Sequence, residues 1–244
     1  MAPPQNPALL STIRQSWKEN RARHGFWKTT RSFAGHIWQF TRESTPEQRR
    51  SRYGDAEYDW DHRVNTTGAT VGWRERLLGH FHSPYQPTEP ALFSEMMTSL
   101  HIDFQEFTFI DVGSGKGRVL LMAADYPFRR IVGVELLPAL DRVAQENLSA
   151  YKRDSQRCFS IEAVCGDARE FVFPNEPLVL YLFNPLPETG LIAMMANLDS
   201  SLRQRPRVVY VLYHNPLLEH LVSKHPAFTK IGGTHQYSIF RGGA

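Results

Sequence analysis

Short apolar runs alternate with segments of helical periodicity over most of the chain, from about residue 88 onward. Apolar runs of this length, bounded by polar and turn-forming residues, predict buried strands. We expect seven strands, at residues 107–112, 131–135, 158–165, 178–183, 208–213, 228–232 and 237–241. Continuous apolar strands separated by helical segments are covered on both faces, so the pattern predicts an α/β fold with a mostly parallel sheet.

The segments between the strands predict the helices of this fold. We expect helices at residues 88–100, 118–126, 139–152, 188–202 and 217–224, and one helical turn at 168–171. Thr88 is expected to cap the first helix, with Pro90 in its first turn. Only a short turn that contains Gly233 separates the last two strands, so we expect them to pair antiparallel.

The chain before residue 84 has a different pattern and predicts an N-terminal extension. We assign residues 1–83 to this basic, aromatic-rich extension and residues 84–244 to the main domain. An amphipathic helix is predicted over residues 21–42, with its apolar residues on one side. Residues 51–87 show little periodicity and predict irregular structure with short helical pieces.

Positive charge is concentrated in this extension. Residues 1–54 hold ten Lys or Arg against three Asp or Glu, a balance of +7, whereas the other 190 residues balance at −4. Basic residues interleaved with aromatic ones are typical of segments that bind nucleic acid or an anionic surface, which makes residues 14–52 a candidate for such a partner. An amphipathic helix packed on the main domain accounts for the apolar side equally well, and we favour that interpretation.

The overall composition is that of an ordinary globular protein, with 41% hydrophobic and 22% charged residues. No apolar run approaches the ~20 residues that a transmembrane helix needs. Cys158 and Cys165 lie in one predicted strand and should point to opposite faces, so we expect neither a disulfide nor a metal site. The cytoplasm is the expected location.

A glycine-rich loop follows the first predicted strand and leads directly into a helix. Residues 111–118 read D-V-G-S-G-K-G-R. Glycines permit a tight turn and the close approach of a ligand. The spacing is not that of a dinucleotide fingerprint, whose third glycine would fall at Arg118, and it is not that of a P-loop. Asp111, ahead of the glycines, would repel a pyrophosphate but suits a ligand that carries positive charge.

Polar residues also stand at the ends of the next strands. In open parallel sheets, ligands bind beyond the carboxyl ends of the strands. After the first four strands the chain places Asp111, Glu135, Asp167 and Asn184. Glu135 has the position to accept two ribose hydroxyls, and Asp167 to accept from an adenine amino group. Each residue alone is more often a solvated strand end, whereas four in order at suitable intervals are rare.

Residues 84–241, and most clearly 105–185, resemble the class I, seven-strand, Rossmann-like methyltransferases that use S-adenosylmethionine. The likeness is closer to a bacterial group of unassigned function and more distant to the non-SET lysine methyltransferases. It implies a glycine loop beneath the methionine part of the cofactor, Glu135 on the ribose, and Asp167 with Ala168 on the adenine. The full set of cofactor-binding positions that it implies is Asp111, Gly113, Ser114, Gly115, Gly117, Glu135, Leu136, Asp167, Ala168 and Asn184.

The same resemblance places Asn184 opposite the methyl group, as the catalytic position. Amino-group methyltransferases often carry (D/N/S)-P-P-(Y/F/W) there, but residues 184–187 read N-P-L-P, without the aromatic residue. We expect methylation of nitrogen, on a protein lysine or a small amine, because a neutral amine needs no strong base and none is obvious. Candidate acceptor-site residues are Tyr85, Pro185, Tyr213 and His214.

Simpler interpretations stand beside these. His214 is more often a satisfied or solvated histidine than a base. Lys116 and Arg118 could contact a substrate, but we expect exposed residues of a first helical turn. A second functional hypothesis is a non-catalytic module that binds the cofactor and acts on a regulatory partner through the extension. The intact Asp111, Glu135, Asp167 and Asn184 favour the enzyme.

Overall fold

A computed structural model describes residues 18, 21, 25–27, 30–31, 56–67 and 87–243 of the chain. Over these residues the chain forms a seven-stranded sheet in the order β3-β2-β1-β4-β5-β7-β6. Strands β1 to β5 pair in parallel, and β7 runs antiparallel to both β5 and β6. The strands are β1 Thr108–Val112, β2 Arg130–Glu135, β3 Ile161–Cys165, β4 Leu178–Leu182, β5 Val209–His214, β6 Phe228–Gly233 and β7 Tyr237–Gly242. The predicted Rossmann-like sheet with an antiparallel last strand is confirmed.

Helices precede β1 and fill the connections after β1, β2, β4 and β5. Within the described residues they are α1 Ala56–His62, α2 Pro90–Thr98, α3 Arg118–Ala123, α4 Pro138–Ala150, α5 Glu188–Gln204 and α6 Glu219–Ser223. All five helices predicted after residue 88 are present, with ends that differ by a few residues. Helix α5 shows why periodicity predicts them, because its buried apolar residues recur at intervals of three and four: Leu191, Met194, Met195, Leu198 and Leu202.

Both faces of the central strands are covered. Ile110 and Leu180 share one buried apolar cluster with residues of α5. Their neighbours Phe109 and Tyr181 point to the other face, where their rings lie beside that of Phe93 in α2. The order of the sheet reverses between β1 and β4, since β2 and β3 lie on one side and β5 on the other. In sheets of this kind the ligand site lies beyond the carboxyl ends of the strands at this point.

The chain divides into two compact units. The smaller consists of Met1–Asp61 and Thr67–Pro87, and the larger of His62–Thr66 and Thr88–Ala244. The larger unit therefore holds the whole sheet and, in addition, a five-residue segment that comes from within the predicted extension. In the smaller unit, the backbone N–H of Thr67 donates to the carboxylate of Asp59 over 2.8 Å.

The helix predicted over residues 21–42 lies for the most part outside the described residues. Those of its residues that the structure describes as helical are Arg21, Phe26, Trp27, Thr30 and Arg31. The two aromatic residues among them are exposed, Trp27 more than Phe26. The interpretations of residues 14–52 as a packed helix or as a binding segment both stay predictions.

The predicted cap of α2 is wrong. Glu89, not Thr88, occupies the N-cap position, and it makes no side-chain capping bond. Thr88 is buried, and its hydroxyl lies 2.8 Å from the hydroxyl of Tyr181 on β4. A buried tertiary partner has therefore replaced the local capping bond that the sequence pattern favours.

Two other local predictions are corrected between β2 and β4. Strand β3 begins at Ile161 and not at residue 158, because the N–H of Cys158 donates to the carbonyl of Ala124 at the end of α3. The helical turn predicted at residues 168–171 is not formed: residues 168 and 169 form a simple turn, and the N–H of Arg169 donates to the side chain of Asp167.

The thiols of Cys158 and Cys165 are both free, the first buried and the second partly exposed. In the part of the chain that the structure describes, every helix is too short or too polar to cross a membrane.

Candidate functional site

The glycine loop between β1 and α3 has a left-handed backbone at each of its glycines. At Gly113, φ is +77°, and a Cβ would lie 2.6 Å from the Cβ of Pro185. At Gly117, the N-cap of α3, φ is +83° and a Cβ would lie 3.2 Å from that of Ala144. Only glycine fits both the backbone and the space at Gly113. The loop thus lies directly against the segment after β4, as expected from the fold.

Glu135 ties this loop to the end of β2. The N–H of Gly115 donates to Oε2 of Glu135 over 2.8 Å, and the N–H of Leu137 donates to Oε1 over 2.8 Å. The N–H groups of Gly113 and Ser114 both donate to a carbonyl of β2. Each carboxylate oxygen can accept a further hydrogen bond, so Glu135 keeps the capacity to bind a ligand hydroxyl. Leu136 lies half-buried directly beyond β2.

Three buried carboxyl groups gather at this edge of the sheet: Asp111, Glu135 and Asp141. Burial raises the pKa of Asp111 well above its usual value, and the charge of Glu135 raises it further. Burial also raises the pKa of Glu135, against the hydrogen bonds from Leu137 and Gly115. Burial is likewise the main cause of the raised pKa of Asp141. A bound cation would relieve the cost of holding these groups ionised.

Several polar atoms at this edge lack partners. Asp111 accepts no side-chain hydrogen bond from the described residues, and burial and the charge of Glu135 both raise its pKa. Ser114 Oγ and Asp141 Oδ1 are buried without a hydrogen-bond partner in the same part of the chain. Buried polar groups without partners are uncommon and mark places where a polar ligand or water would bind. The arrangement fits a ligand with donor groups and positive charge.

Asp141 was not expected from the sequence. It lies in the first turn of α4, where an acid stabilises a helix, so its position alone indicates a structural role. Its Oδ2 accepts from Gln145 over 2.8 Å, whereas Oδ1 is the buried unpartnered atom. The charge of Asp141 also raises the pKa of Glu135. No motif could have found this pairing, because it depends on how α4 packs.

Asp167 lies where the sequence predicts but is already engaged. Its carboxylate accepts from the backbone N–H of Arg169 and from the guanidinium of the same residue. Ala168 is buried and belongs to the main apolar cluster. A contact between Asp167 and an adenine amino group would therefore have to share the carboxylate with Arg169.

Asn184 is held in place at the end of β4. Its φ of +45° is unusual for a residue other than glycine. Its Oδ1 accepts from the hydroxyl of Tyr213 over 3.1 Å, and its Nδ2 donates to the carbonyl of Asn215 over 2.6 Å. Two predicted site residues, Asn184 and Tyr213, thus meet, and Pro185 lies against the glycine loop. The side-chain oxygen of Asn184 can accept one more hydrogen bond.

His214 ends a buried chain of hydrogen bonds. Its Nδ1 lies 2.7 Å from the hydroxyl of Tyr181, which lies 2.8 Å from that of Thr88. Its ring stacks on Phe183, with 3.8 Å between centroids. Burial lowers the pKa of His214 to about 4. The neutral ring therefore stabilises the fold fully above about pH 6.5, and this stabilisation is lost as the pH falls towards 4.

Lys116 and Arg118 are not exposed, which corrects the prediction. Both side chains are only 2% exposed. Lys116 Nζ donates to Oδ1 of Asn65 over 3.0 Å, and Arg118 Nε donates to the hydroxyl of Thr66 over 2.7 Å. Their partners come from the segment His62–Thr66, which the sequence assigned to the extension. Tyr85, the remaining acceptor-site candidate, lies outside the described residues.

Comparison with known proteins assigns no family to this chain. The sequence matches no protein-family model and no curated protein. Among solved structures it is similar to a ribosomal protein L11 methylase from Lactobacillus delbrueckii subsp. bulgaricus, at 15% identity over 63% of this chain and 76% of that one, with a TM-score of 0.43. An RNA methyltransferase from Salinibacter ruber in complex with S-adenosyl-L-homocysteine matches at 20% identity over 64% and 92%, with a TM-score of 0.38.

A third similar structure is that of a predicted N6-adenine-specific DNA methylase from Listeria monocytogenes. It matches at 14% identity over 64% of this chain and 51% of that one, with a TM-score of 0.47. Similarity at this level assigns neither activity nor substrate, because one fold serves many functions.

Proposed function

We propose that this chain is an S-adenosylmethionine-dependent methyltransferase. The observation that carries the proposal is Asp111, a buried carboxyl group without a side-chain partner among the described residues, beside a left-handed glycine loop at the reversal point of the sheet. An anionic ligand is disfavoured there, since Glu135 adds a second buried carboxyl group. A cofactor with an ammonium, a sulfonium and ribose hydroxyls matches both the charge and the donors that the site needs.

Different residues of the site would bind different parts of the cofactor. Asp111 would attract its positive charge, Glu135 and Leu136 would hold the ribose, and Asp167 with Ala168 would lie at the adenine. Gly113, Gly115 and Gly117 add no side chains of their own to the loop, and Ser114 offers an unpartnered hydroxyl. S-adenosylmethionine supplies a methyl group that its sulfonium makes electrophilic. The protein's remaining task is to align the acceptor, which can supply ~7–11 kcal/mol of the barrier reduction.

The acceptor is nitrogen, of a protein lysine or a small amine. With its pKa lowered to about 4, His214 is a weak base, and its Nδ1 is engaged by Tyr181, so it is poorly suited to remove a proton from a hydroxyl acceptor. A neutral amine needs no such base. Asn184 Oδ1, fixed by Tyr213 at the end of β4, is placed to accept a hydrogen bond from an incoming amine. Alignment through this oxygen would act in the transition state.

Replacing Asn184 tests the catalytic assignment. We expect Asn184→Ala to lower turnover at least about a hundredfold and to change S-adenosylhomocysteine affinity only a few-fold, because losing a preorganised polar group costs ~10²–10³ in rate. Turnover is measured as S-adenosylhomocysteine formation with candidate amine acceptors. Asn184→Gly is the matched variant, since it removes the same side chain and suits the left-handed backbone. Both variants should lose turnover equally.

Recovery of turnover in Asn184→Gly would assign the loss to backbone strain and remove Asn184 from the chemistry. Mass spectrometry of the methylated product identifies the acceptor atom, and an oxygen or carbon product would end the nitrogen assignment. A wild-type protein that binds the cofactor but methylates no acceptor would favour the non-catalytic module.

A further inference from the structure

Asn147, on the last turns of α4, makes three hydrogen bonds that no part of the proposed chemistry uses. Its Oδ1 accepts from the N–H of Asn65 over 2.8 Å, and its Nδ2 donates to the carbonyl of the same residue over 3.0 Å. Nδ2 also donates to the carbonyl of Lys116 over 2.9 Å. A single buried amide thus pairs with the backbone of Asn65 as a neighbouring strand would, and binds the glycine loop at the same time.

The segment His62–Thr66 reaches the loop by two further bonds. Its Asn65 side chain accepts from Lys116 Nζ, and its Thr66 hydroxyl accepts from Arg118 Nε. Thr66, Lys116 and Arg118 are all fully buried. Burying two cationic side chains is costly unless they are well hydrogen-bonded, and apolar residues would often be as stable. Their burial here indicates that the position of the loop, rather than stability alone, depends on them.

The bonds act on the part of the loop that faces the candidate cofactor site. Lys116 lies between Gly115, whose N–H donates to Glu135, and Gly117, which begins α3. Both glycines have positive φ, a conformation that glycine leaves freely in the absence of restraints. Fixing the carbonyl and the side chain of Lys116 therefore restrains the backbone between the two glycines, next to the Gly115 N–H that donates to Glu135.

We propose that Asn147 and the segment His62–Thr66 form a clasp that positions the glycine loop for cofactor binding. The clasp consists of Asn65, Thr66, Asn147, Lys116 and Arg118. Asn147, Asn65 and Thr66 are positioning residues, which act on the cofactor through the loop and not by contact. The proposal rests on the proposed function for the identity of the ligand. Because linkage is reciprocal, bound cofactor must in turn hold the segment in place.

Hydrogen exchange of the full-length chain tests the clasp without ligand. In Asn147→Ala we expect the amides of Gly115, Lys116 and Gly117 to exchange at least about tenfold faster than in the wild type, since the buried bond to the Lys116 carbonyl and the two bonds that hold Asn65 are lost. Asn197→Ala is the matched control: it also removes an amide that donates to a carbonyl, that of Phe171, but on α5. It should leave the exchange of these loop amides unchanged.

The same proteins then report on the cofactor. Calorimetry should show S-adenosylhomocysteine binding weakened at least about tenfold in Asn147→Ala and unchanged in Asn197→Ala. In the wild type, the ligand should slow exchange at the amides of Asn65 and Thr66. Thr66→Val, nearly isosteric, removes only the hydroxyl that binds Arg118 and should weaken affinity, whereas Thr66→Ser should restore it. This pair decides the question if Asn147→Ala fails to fold.

Any of three results would overturn the clasp. The first is hydrogen exchange of the loop amides in Asn147→Ala equal to that in the wild type, and the second is unchanged S-adenosylhomocysteine affinity in Thr66→Val. The third is a wild-type protein that binds the ligand without slower exchange at the amides of Asn65 and Thr66. A failure of the wild-type protein to bind S-adenosylhomocysteine would lead to a different conclusion. It would overturn the proposed function and the linkage to it, while the exchange of the ligand-free protein still decides whether the clasp holds the loop.

Discussion

Asp111 carries a cost to the fold that a bound cation would relieve. Its carboxyl group is buried at the end of β1 and receives no side-chain hydrogen bond from the described residues. Its pKa is raised, so the folded state holds the proton more tightly than the unfolded state does. Stability therefore falls as the pH rises from the usual carboxyl pKa of about 3.9 through the raised value.

We expect Asp111→Asn to remove this cost. The free energy of unfolding should be higher than that of the wild type at pH 7, and the difference should shrink as the pH falls below the raised pKa towards 4. S-adenosylhomocysteine affinity should fall about tenfold or more, because a charge-assisted contact to the ligand is lost. Urea denaturation across this pH range and calorimetry at pH 7 measure the two effects.

Asp199→Asn is the control for this substitution, since Asp199 pairs with Arg203 on the surface of α5 and surface pairs contribute little. A less stable Asp111→Asn protein at pH 7 would contradict the desolvated-charge interpretation. Unchanged ligand affinity would remove Asp111 from the cofactor site.

The sequence located residues better than it predicted their partners. The places of Asp111, Glu135 and Asn184 at strand ends follow from the strand pattern alone. The bond between Glu135 and Gly115, and the ion pair between Asp167 and Arg169, depend on side-chain rotamers that no periodicity encodes. The burial of Lys116 was unexpected for the same reason, because its partner Asn65 is distant in sequence.

At the scale of elements, two strand ends meet where Gly113 lies against Pro185. Gly113→Ala should lower the free energy of unfolding by about 2–4 kcal/mol, since the left-handed backbone and the contact with Pro185 both oppose a side chain. Urea denaturation with an unchanged slope measures this. Gly166→Ala, after β3, is the control, because none of the described residues would lie within 4 Å of its Cβ.

Gly166→Ala should change stability by less than about 0.5 kcal/mol. A Gly113→Ala protein as stable as this control would contradict the close contact between the two strand ends, and with it the placement of Asn184 beside the loop.

Strands were easier to predict than helix ends. Strands β1 and β4 are buried along their whole length, so their apolar runs show their position directly. The predicted start of α2 was wrong because the hydroxyl of Thr88 can either cap the helix or form a buried hydrogen bond with Tyr181. Only the packing of α2 against β4 decides between these two hydrogen bonds.

At the scale of the whole molecule, the division into units differs from the charge pattern. The +7 balance of residues 1–54 and the −4 balance of the rest indicate an extension with its own partner or packing site. The segment His62–Thr66 nevertheless belongs to the larger unit and binds its glycine loop. The sequence of His62–Thr66 has no periodicity that could predict where this segment lies. Its residues nevertheless accept hydrogen bonds from Lys116 and Arg118, at the glycine loop of the proposed cofactor site.

Calorimetry of S-adenosylhomocysteine binding to the full-length chain tests the central claim most directly. The wild type should bind one molecule per chain. Glu135→Ala should bind at least about tenfold more weakly, because each charge-assisted hydrogen bond contributes ~1.5–3 kcal/mol. Glu162→Ala, which removes a half-exposed acid paired with Arg130 on the neighbouring strand, should bind as the wild type does. No binding by the wild type, or equal affinity in Glu135→Ala, would contradict a cofactor site at the ends of β1 and β2.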